Sequence, residues 1–227
     1  MAKYFLNNTK KLLVFDMAGT VINENGLVYK TLYETLNSFS INVTQEDIKN
    51  MAGANKHEVI CHYTSHNSKS NNNDNLNRII INKFENNLKC AYRKNMSISL
   101  IDPELKNHFE NLRLSGYKIG LNTGYSRDLQ STIIKKLELE HSVDAYISSE
   151  DVTSGRPAPF MIYNLMNELN VKNTDEVVKI GDTINDILEG KNSKCETIGV
   201  LTGANNEDEL LEVGANYVIN SVMDIQI

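Results

Sequence analysis

Apolar and polar positions change their period at about residue 102, and that change divides the chain. Before it, Val28, Tyr29, Leu32, Tyr33, Leu36 and Phe39 recur at helical spacing and predict one amphipathic helix, while Ile80, Ile81, Phe84, Leu88 and Tyr92 predict another. Thr44 to Asp47 has the form of a capping box and opens a further helix that ends near Ala52-Gly53. Asn67 to Asn77, with Asn71-Asn72-Asn73 in a row, is too polar to bury much surface and reads as a mobile loop at about 66–77. Nothing from Leu27 to about Tyr92 reads as a strand.

After Asp102-Pro103 the pattern becomes helix, strand, helix, strand. Leu105, Phe109 and Leu112 predict a helix stopped by Gly116, and Tyr117 to Leu121 a strand ending in Asn122-Thr123-Gly124. Leu129 to Leu137 and Phe160 to Leu169 predict helices on either side of a strand at Ala145 to Ile147. Val177-Val178-Lys179-Ile180 is a strand running into Gly181-Asp182, and Thr197 to Leu201 and Tyr217 to Ile219 add two more. Strands alternating with helices imply parallel strands joined by right-handed crossovers. One earlier strand, Leu12 to Phe15, belongs with them. The fold class is therefore α/β, a doubly wound Rossmann-like parallel sheet made from residues 1–22 and 97–227, with an all-helical cap inserted at 23–96.

Composition narrows the function more than the fold. A chain of 227 residues with 41% hydrophobic and 23% charged residues is an ordinary globular protein. Its net charge of −6 offers no basic face for a nucleic-acid backbone, so nucleic acid is set aside. No apolar run reaches the length of a membrane span and no leader is evident, which makes the cytoplasm the expected location and a membrane partner unexpected. Cys61, Cys90 and Cys195 are odd in number and far apart, so they read as reduced thiols.

Candidate chemistry gathers at the carboxyl ends of the predicted strands, where open α/β sheets bind ligands. Leu12-Leu13-Val14-Phe15 runs straight into Asp16, and Gly19-Thr20 turns the chain. A carboxylate there can attack an electrophile or hold a metal, although Asp also caps turns without any chemistry. Three more features fall at strand ends or in the following loops: Thr123-Gly124, Arg156 in Ser154-Gly155-Arg156-Pro157, and Asp182 with Asp186. Singly, a turn, a solvated loop arginine and a helix cap explain them. Together they form a set suited to phosphoryl transfer, because a carboxylate attacking a phosphoryl group needs a divalent cation and fixed donors to offset like-charge repulsion. Magnesium suits oxygen ligands of this kind. Asp16 and Asp182 supply the carboxylates, the Thr123 hydroxyl and Gly124 amide supply donors, and Arg156 offsets developing charge.

With those motifs in order, the chain resembles the haloacid dehalogenase superfamily from Leu12 through about Leu201, and within it the phosphonoacetaldehyde hydrolase (phosphonatase) group. Tyr117 to Arg127 resembles that group's second motif, Gly155-Arg156-Pro157-Ala158-Pro159-Phe160-Met161 its third, and Lys179-Ile180-Gly181-Asp182-Thr183 the fourth. The resemblance implies a C1-type cap, Asp16 as nucleophile, and Mg2+ held by Asp16, the Ala18 carbonyl and Asp182, with Asp186 behind them. Thr20 and Gly124 then contact substrate. It also implies a homodimer through the apolar helix Val28 to Phe39, a stripe that packing inside the cap explains equally well.

Ala18 stands where superfamily phosphatases carry the Asp that protonates a leaving alkoxide, a contribution of about 10² to 10⁴ in rate. A carbon leaving group has no such need, since an iminium next to it accepts the electrons. Lys56, after Ala52-Gly53-Ala54-Asn55, occupies the position of the phosphonatase Schiff-base lysine; recognising substrate and lying on the solvated surface are its other readings. The chain departs from the phosphonatase pattern at Gly26, where the group has cysteine, and at Val59, where it has histidine. The expected function is Mg2+-dependent cleavage of the C–P bond of phosphonoacetaldehyde or a similar small phosphonate through a Schiff base and an aspartyl phosphate. Its alternatives are a phosphatase acting on a small phosphorylated metabolite and a phosphate-binding protein without turnover.

Overall fold

A computed structural model describes residues 3–52, 54–67, 74–94 and 98–227. The chain begins with β1 (Tyr4–Phe5), β2 (Leu12–Asp16) and β3 (Ile22–Asn23). Four helices follow: α1 (Leu27–Ser38), α2 (Gln45–Asn50), α3 (Lys56–Asn67) and α4 (Asp74–Lys94). From β4 (Ser99–Leu100) onward strands and helices alternate: α5 (Leu105–Leu114), β5 (Lys118–Thr123), α6 (Arg127–Lys136), β6 (Ala145–Ser148), α7 (Phe160–Glu168) and β7 (Val177–Gly181). The last elements are α8 (Ile184–Ser193), β8 (Glu196–Val200), α9 (Glu207–Glu212), β9 (Tyr217–Ile219) and β10 (Ile225–Gln226). Two compact units result, Met1–Asn23 with Ser99–Ile227, and Glu24–Ile98.

The first unit is built on a six-stranded sheet of order β6-β5-β2-β7-β8-β9, every neighbouring pair parallel. The order reverses beside β2, so β2 and β7 flank the point where crossovers leave on opposite faces and a crevice opens at the carboxyl ends of the strands. All five residues of β2 are buried, as befits a central strand covered on both sides. Leu12 and Val14 pack with Met161, Ile162 and Leu165 of α7 on one face. On the other, Phe15 meets Phe109 of α5 with ring centroids 4.9 Å apart. The outward and returning chain at the unit's margin is tied by the antiparallel pair β3 and β4, and β1 pairs with β10. These two-residue strands are too short to show a period in sequence.

The second unit is helical. α1 packs on α2 and α4, and α3 packs on α4. The Thr44 capping box is formed, with Asp47 accepting from the Thr44 amide at 2.7 Å and the Thr44 hydroxyl oxygen accepting from the Asp47 amide at 3.1 Å. Val28, Leu32 and Leu36 are buried within the single chain. The stripe of α4 falls every fourth residue, at Ile80, Phe84, Leu88 and Tyr92, all at most 2% exposed. The loop expected at about 66–77 overlaps helix at both ends. Residues through Asn67 complete α3 and those from Asp74 open α4, where an acidic first turn favours the helix, while 68–73 lie outside the described residues, as does Gly53.

Candidate active site

Strand register places the site. Asp16 is opposite Asn122 and Phe15 is opposite Ile180, so Asp16, Thr123 and Asp182 all emerge at the same end of three adjacent strands. The turn after Asp16 is fixed by an isolated bridge between Ala18 and Ile22. Gly19 holds φ at 83°, and a Cβ there would lie 2.6 Å from Asp182 Oδ2. Only glycine suits both conditions. The Thr20 hydroxyl donates to Asp182 Oδ1 at 3.0 Å and the Ala204 amide donates to Oδ2 at 2.8 Å. Thr20 is fully buried, so its hydroxyl supports the Asp182 carboxylate. Thr123 is 2% exposed, and its hydroxyl oxygen accepts from the Tyr125 amide at 3.3 Å across Gly124.

Arg156 arrives from the loop before α7 and ties the carboxylates together. Its Nη1 is 2.6 Å from Asp16 Oδ1 and 2.9 Å from Asp186 Oδ1, and its Nη2 donates to Asn122 Oδ1 at 2.8 Å. Asp186 does two jobs at once. Its Oδ2 closes a capping box at the start of α8, accepting from the Thr183 amide at 3.2 Å and also from the Thr183 hydroxyl at 2.5 Å, while Oδ1 lies 2.8 Å from Lys179 Nζ. Helix capping and a place in the site are thus compatible here.

A family model described as haloacid dehalogenase-like hydrolase matches residues 13–200. The chain belongs to the haloacid dehalogenase-like hydrolase family. It is similar to a phosphonoacetaldehyde hydrolase from Parabacteroides distasonis, 32% identical over 164 residues covering 60% of this chain and 62% of that protein. Another phosphonoacetaldehyde hydrolase, from Bacteroides fragilis, is 34% identical over 140 residues, 51% of this chain and 53% of that one. The chain therefore spans less than two thirds of the length of these relatives. Among solved structures, a phosphonoacetaldehyde hydrolase-like protein from Oleispira antarctica aligns with TM-score 0.81 at 26% identity, covering 99% of this chain and 92% of the other. A hydrolase from Pseudomonas syringae shares the fold, with TM-score 0.82 at 21% identity and 95% coverage of both chains.

Hydrolases of this family generally use Mg2+, and the residues present fit such an ion. Asp16, Asp182 and Asp186 each offer an oxygen within 4.8 Å of the others. With Glu189 they make four buried carboxylates against the two buried cations Arg156 and Lys179, leaving two negative charges uncompensated. Asp182 carries the imbalance: among the described residues its side chain meets neutral donors and no cation. Burial, then the charges of Asp16 and Asp186, push its pKa well above the usual carboxylate range. Burial and the neighbouring Asp186 also raise Asp16, against Arg156 and Lys179. Burial would raise Asp186 as well, but Arg156 and Lys179 outweigh it and hold that carboxyl low. An all-oxygen, hard donor set short of two positive charges is what a divalent cation such as Mg2+ satisfies.

Lys56 belongs to the helical unit. It is 6% exposed, its Nζ donates to the Ala54 carbonyl at 2.8 Å, and Nζ lies 5.2 Å from the centroid of the Tyr29 ring. The reading of Lys56 as a solvated surface residue is therefore corrected: Asn55 caps the first turn of α3, its side-chain oxygen accepting from the His57 amide at 2.8 Å, and Lys56 follows it in a buried position. Val59 is fully buried, and His57 pairs with Glu85 at 3.0 Å. Three polar members of the core cluster escape a reading of the sequence: Asn122, Lys179 and Glu189. The signals were there, in a lysine inside the apolar run of β7 and a glutamate one turn after Asp186 on α8.

Proposed function

We propose that the chain is a Mg2+-dependent hydrolase of the phosphonatase type, acting on phosphonoacetaldehyde or a similar small carbonyl phosphonate. In this reading the Lys56 amine condenses with the substrate aldehyde, expelling water and leaving a protonated imine. Asp16 attacks phosphorus, the C–P bond breaks, and its electron pair moves into the iminium to give an enamine. Water then cleaves the aspartyl phosphate, releasing phosphate and regenerating the carboxylate, while the enamine takes up a proton and its imine is hydrolysed. Asp16, Asp182 and the Ala18 carbonyl, with Asp186 behind them, would hold the cation, which would supply the positive charge that lets one anion approach another. Arg156 and the Thr123 hydroxyl, with the Gly124 amide, offset charge on the phosphoryl oxygens as the bond forms.

Support for a carbon leaving group comes from the pairing of Ala18, which offers no proton, with a desolvated amine at Lys56. The names of the curated relatives point the same way. Borohydride added with phosphonoacetaldehyde should leave a reduced two-carbon adduct on Lys56, detectable by peptide mass. Full activity of a Lys56→Ala variant would end the imine version. Turnover of phosphate esters in place of phosphonates returns the phosphatase alternative, and binding of metal and phosphate without product returns the third.

A further inference from the structure

Glu189 has no part in the chemistry just described, yet it is fully buried beside two cations. It sits on α8 one turn beyond Asp186, outside the group of oxygens able to share an ion. Both its carboxylate oxygens accept from the Asn122 side-chain amide, at 3.0 and 2.9 Å. That contact fixes the Asn122 amide, whose oxygen therefore faces Arg156 Nη2 at 2.8 Å and Lys179 Nζ at 2.9 Å. Glu189 Oε2 also lies 3.2 Å from Arg156 Nε and 3.6 Å from Lys179 Nζ.

Without Glu189, Arg156 and Lys179 would have only Asp16 and Asp186 as buried carboxylate partners. With Asp182 counted, three buried carboxylates would then face two cations, halving the uncompensated negative charge that can recruit a divalent ion. With Glu189 present, part of the cationic charge is answered from behind, and Asp16 and Asp186 keep negative charge facing the crevice. We propose that Glu189 is a positioning residue that sets the site's affinity for its divalent cation, acting through Asn122, Arg156 and Lys179. This rests on the metal reading given above.

Mg2+ titrated calorimetrically into the protein without substrate is the test. Glu189→Gln should weaken binding by about 10- to 100-fold, the usual scale for residues supporting metal ligands. Lys179→Gln removes charge of the opposite sign and should tighten it. The double variant Lys179→Gln/Glu189→Gln, matched in charge to the original, should return to within a few-fold of the starting affinity and keeps the test open where the single glutamate variant does not fold. An affinity within twofold of the original in Glu189→Gln, or losses in the two single variants that simply add in the double, would overturn the role. An unmodified protein that takes up no Mg2+ would instead remove the metal reading on which it stands.

Discussion

The two units bury polar side chains in different ways. In the core, Asp16, Asp186, Glu189, Arg156 and Lys179 are each at most 4% exposed and form one cluster in which every charge touches at least one of opposite sign. In the helical unit, polar groups meet in separate pairs, between helices or between a helix and the chain leading into one: Lys56 with the Ala54 carbonyl, the Tyr92 hydroxyl with Glu24, and the Thr64 hydroxyl with Asn77 at 2.5 Å. A sheet converges side chains from several strands on one end, so charges there can be cross-linked and their direction fixed. A helix spreads its side chains around an axis and along its length. In the proposed reading, attack belongs to the cross-linked strand ends, while the helical unit contributes the buried amine of Lys56.

That contrast breaks first at Asp16. Asp16→Asn should lower turnover by about 10⁴-fold or more, because the variant loses its nucleophile while the surrounding framework remains. Residual activity near that of the unmodified protein in a steady-state phosphate-release assay would mean that another group attacks. Lys56→Arg comes next: it keeps a cation near the Tyr29 ring but cannot condense with an aldehyde. Phosphonoacetaldehyde cleavage should fall by at least about 10²-fold, the scale of losing a positioned catalytic group. Equal losses in kcat on a phosphate ester would argue that the lysine only binds substrate.

A third change sharpens the comparison by disturbing a single carboxylate. A Cβ at position 203 would stand 1.9 Å from Asp182 Oδ2, so Gly203→Ala must displace that carboxylate or the loop carrying it. Mg2+ affinity should drop by about 10- to 100-fold with Asp16 left in place, which a calorimetric titration reads directly.

How far the sequence speaks for the structure follows the same division. The core strands were legible because a central strand covered on both faces is mostly apolar, without a break at Leu12 to Phe15 and with Lys179 alone interrupting Val177 to Ile180. Asp16, Thr123, Arg156, Asp182 and Asp186 were legible because each ends such a run or lies in the loop or first helical turn that follows it. Asn122, Lys179 and Glu189 were less so, since their meaning depends on which strands lie side by side, and strand order is a long-range property. In the helical unit the stripes of α1 and α4 stood out, whereas α3, Lys-His-Glu-Val-Ile-Cys-His-Tyr-Thr-Ser-His-Asn, has no apolar stripe to announce it. The burial of Lys56 was invisible for that reason.

The smallest expected effect concerns a group the core leaves unanswered. His108 lies on α5 beside the central strand, and its Nε2 is buried with no hydrogen-bond partner among the described residues. Burial lowers its pKa below the ordinary value of 6.5, outweighing a hydrogen bond to the Val222 backbone and the charge of Asp102. A depressed folded value means that the unfolded chain takes up the proton first as pH falls. His108 therefore contributes stability that is present above about pH 6.5 and is lost on acidification through the folded value. His108→Gln should flatten the thermal midpoint between pH 7 and pH 5 by an amount worth less than about 1 kcal/mol. An unchanged slope would mean that the imidazole is protonated in place, and that the core accepts a buried cation without one of the carboxylate partners that Arg156 and Lys179 require.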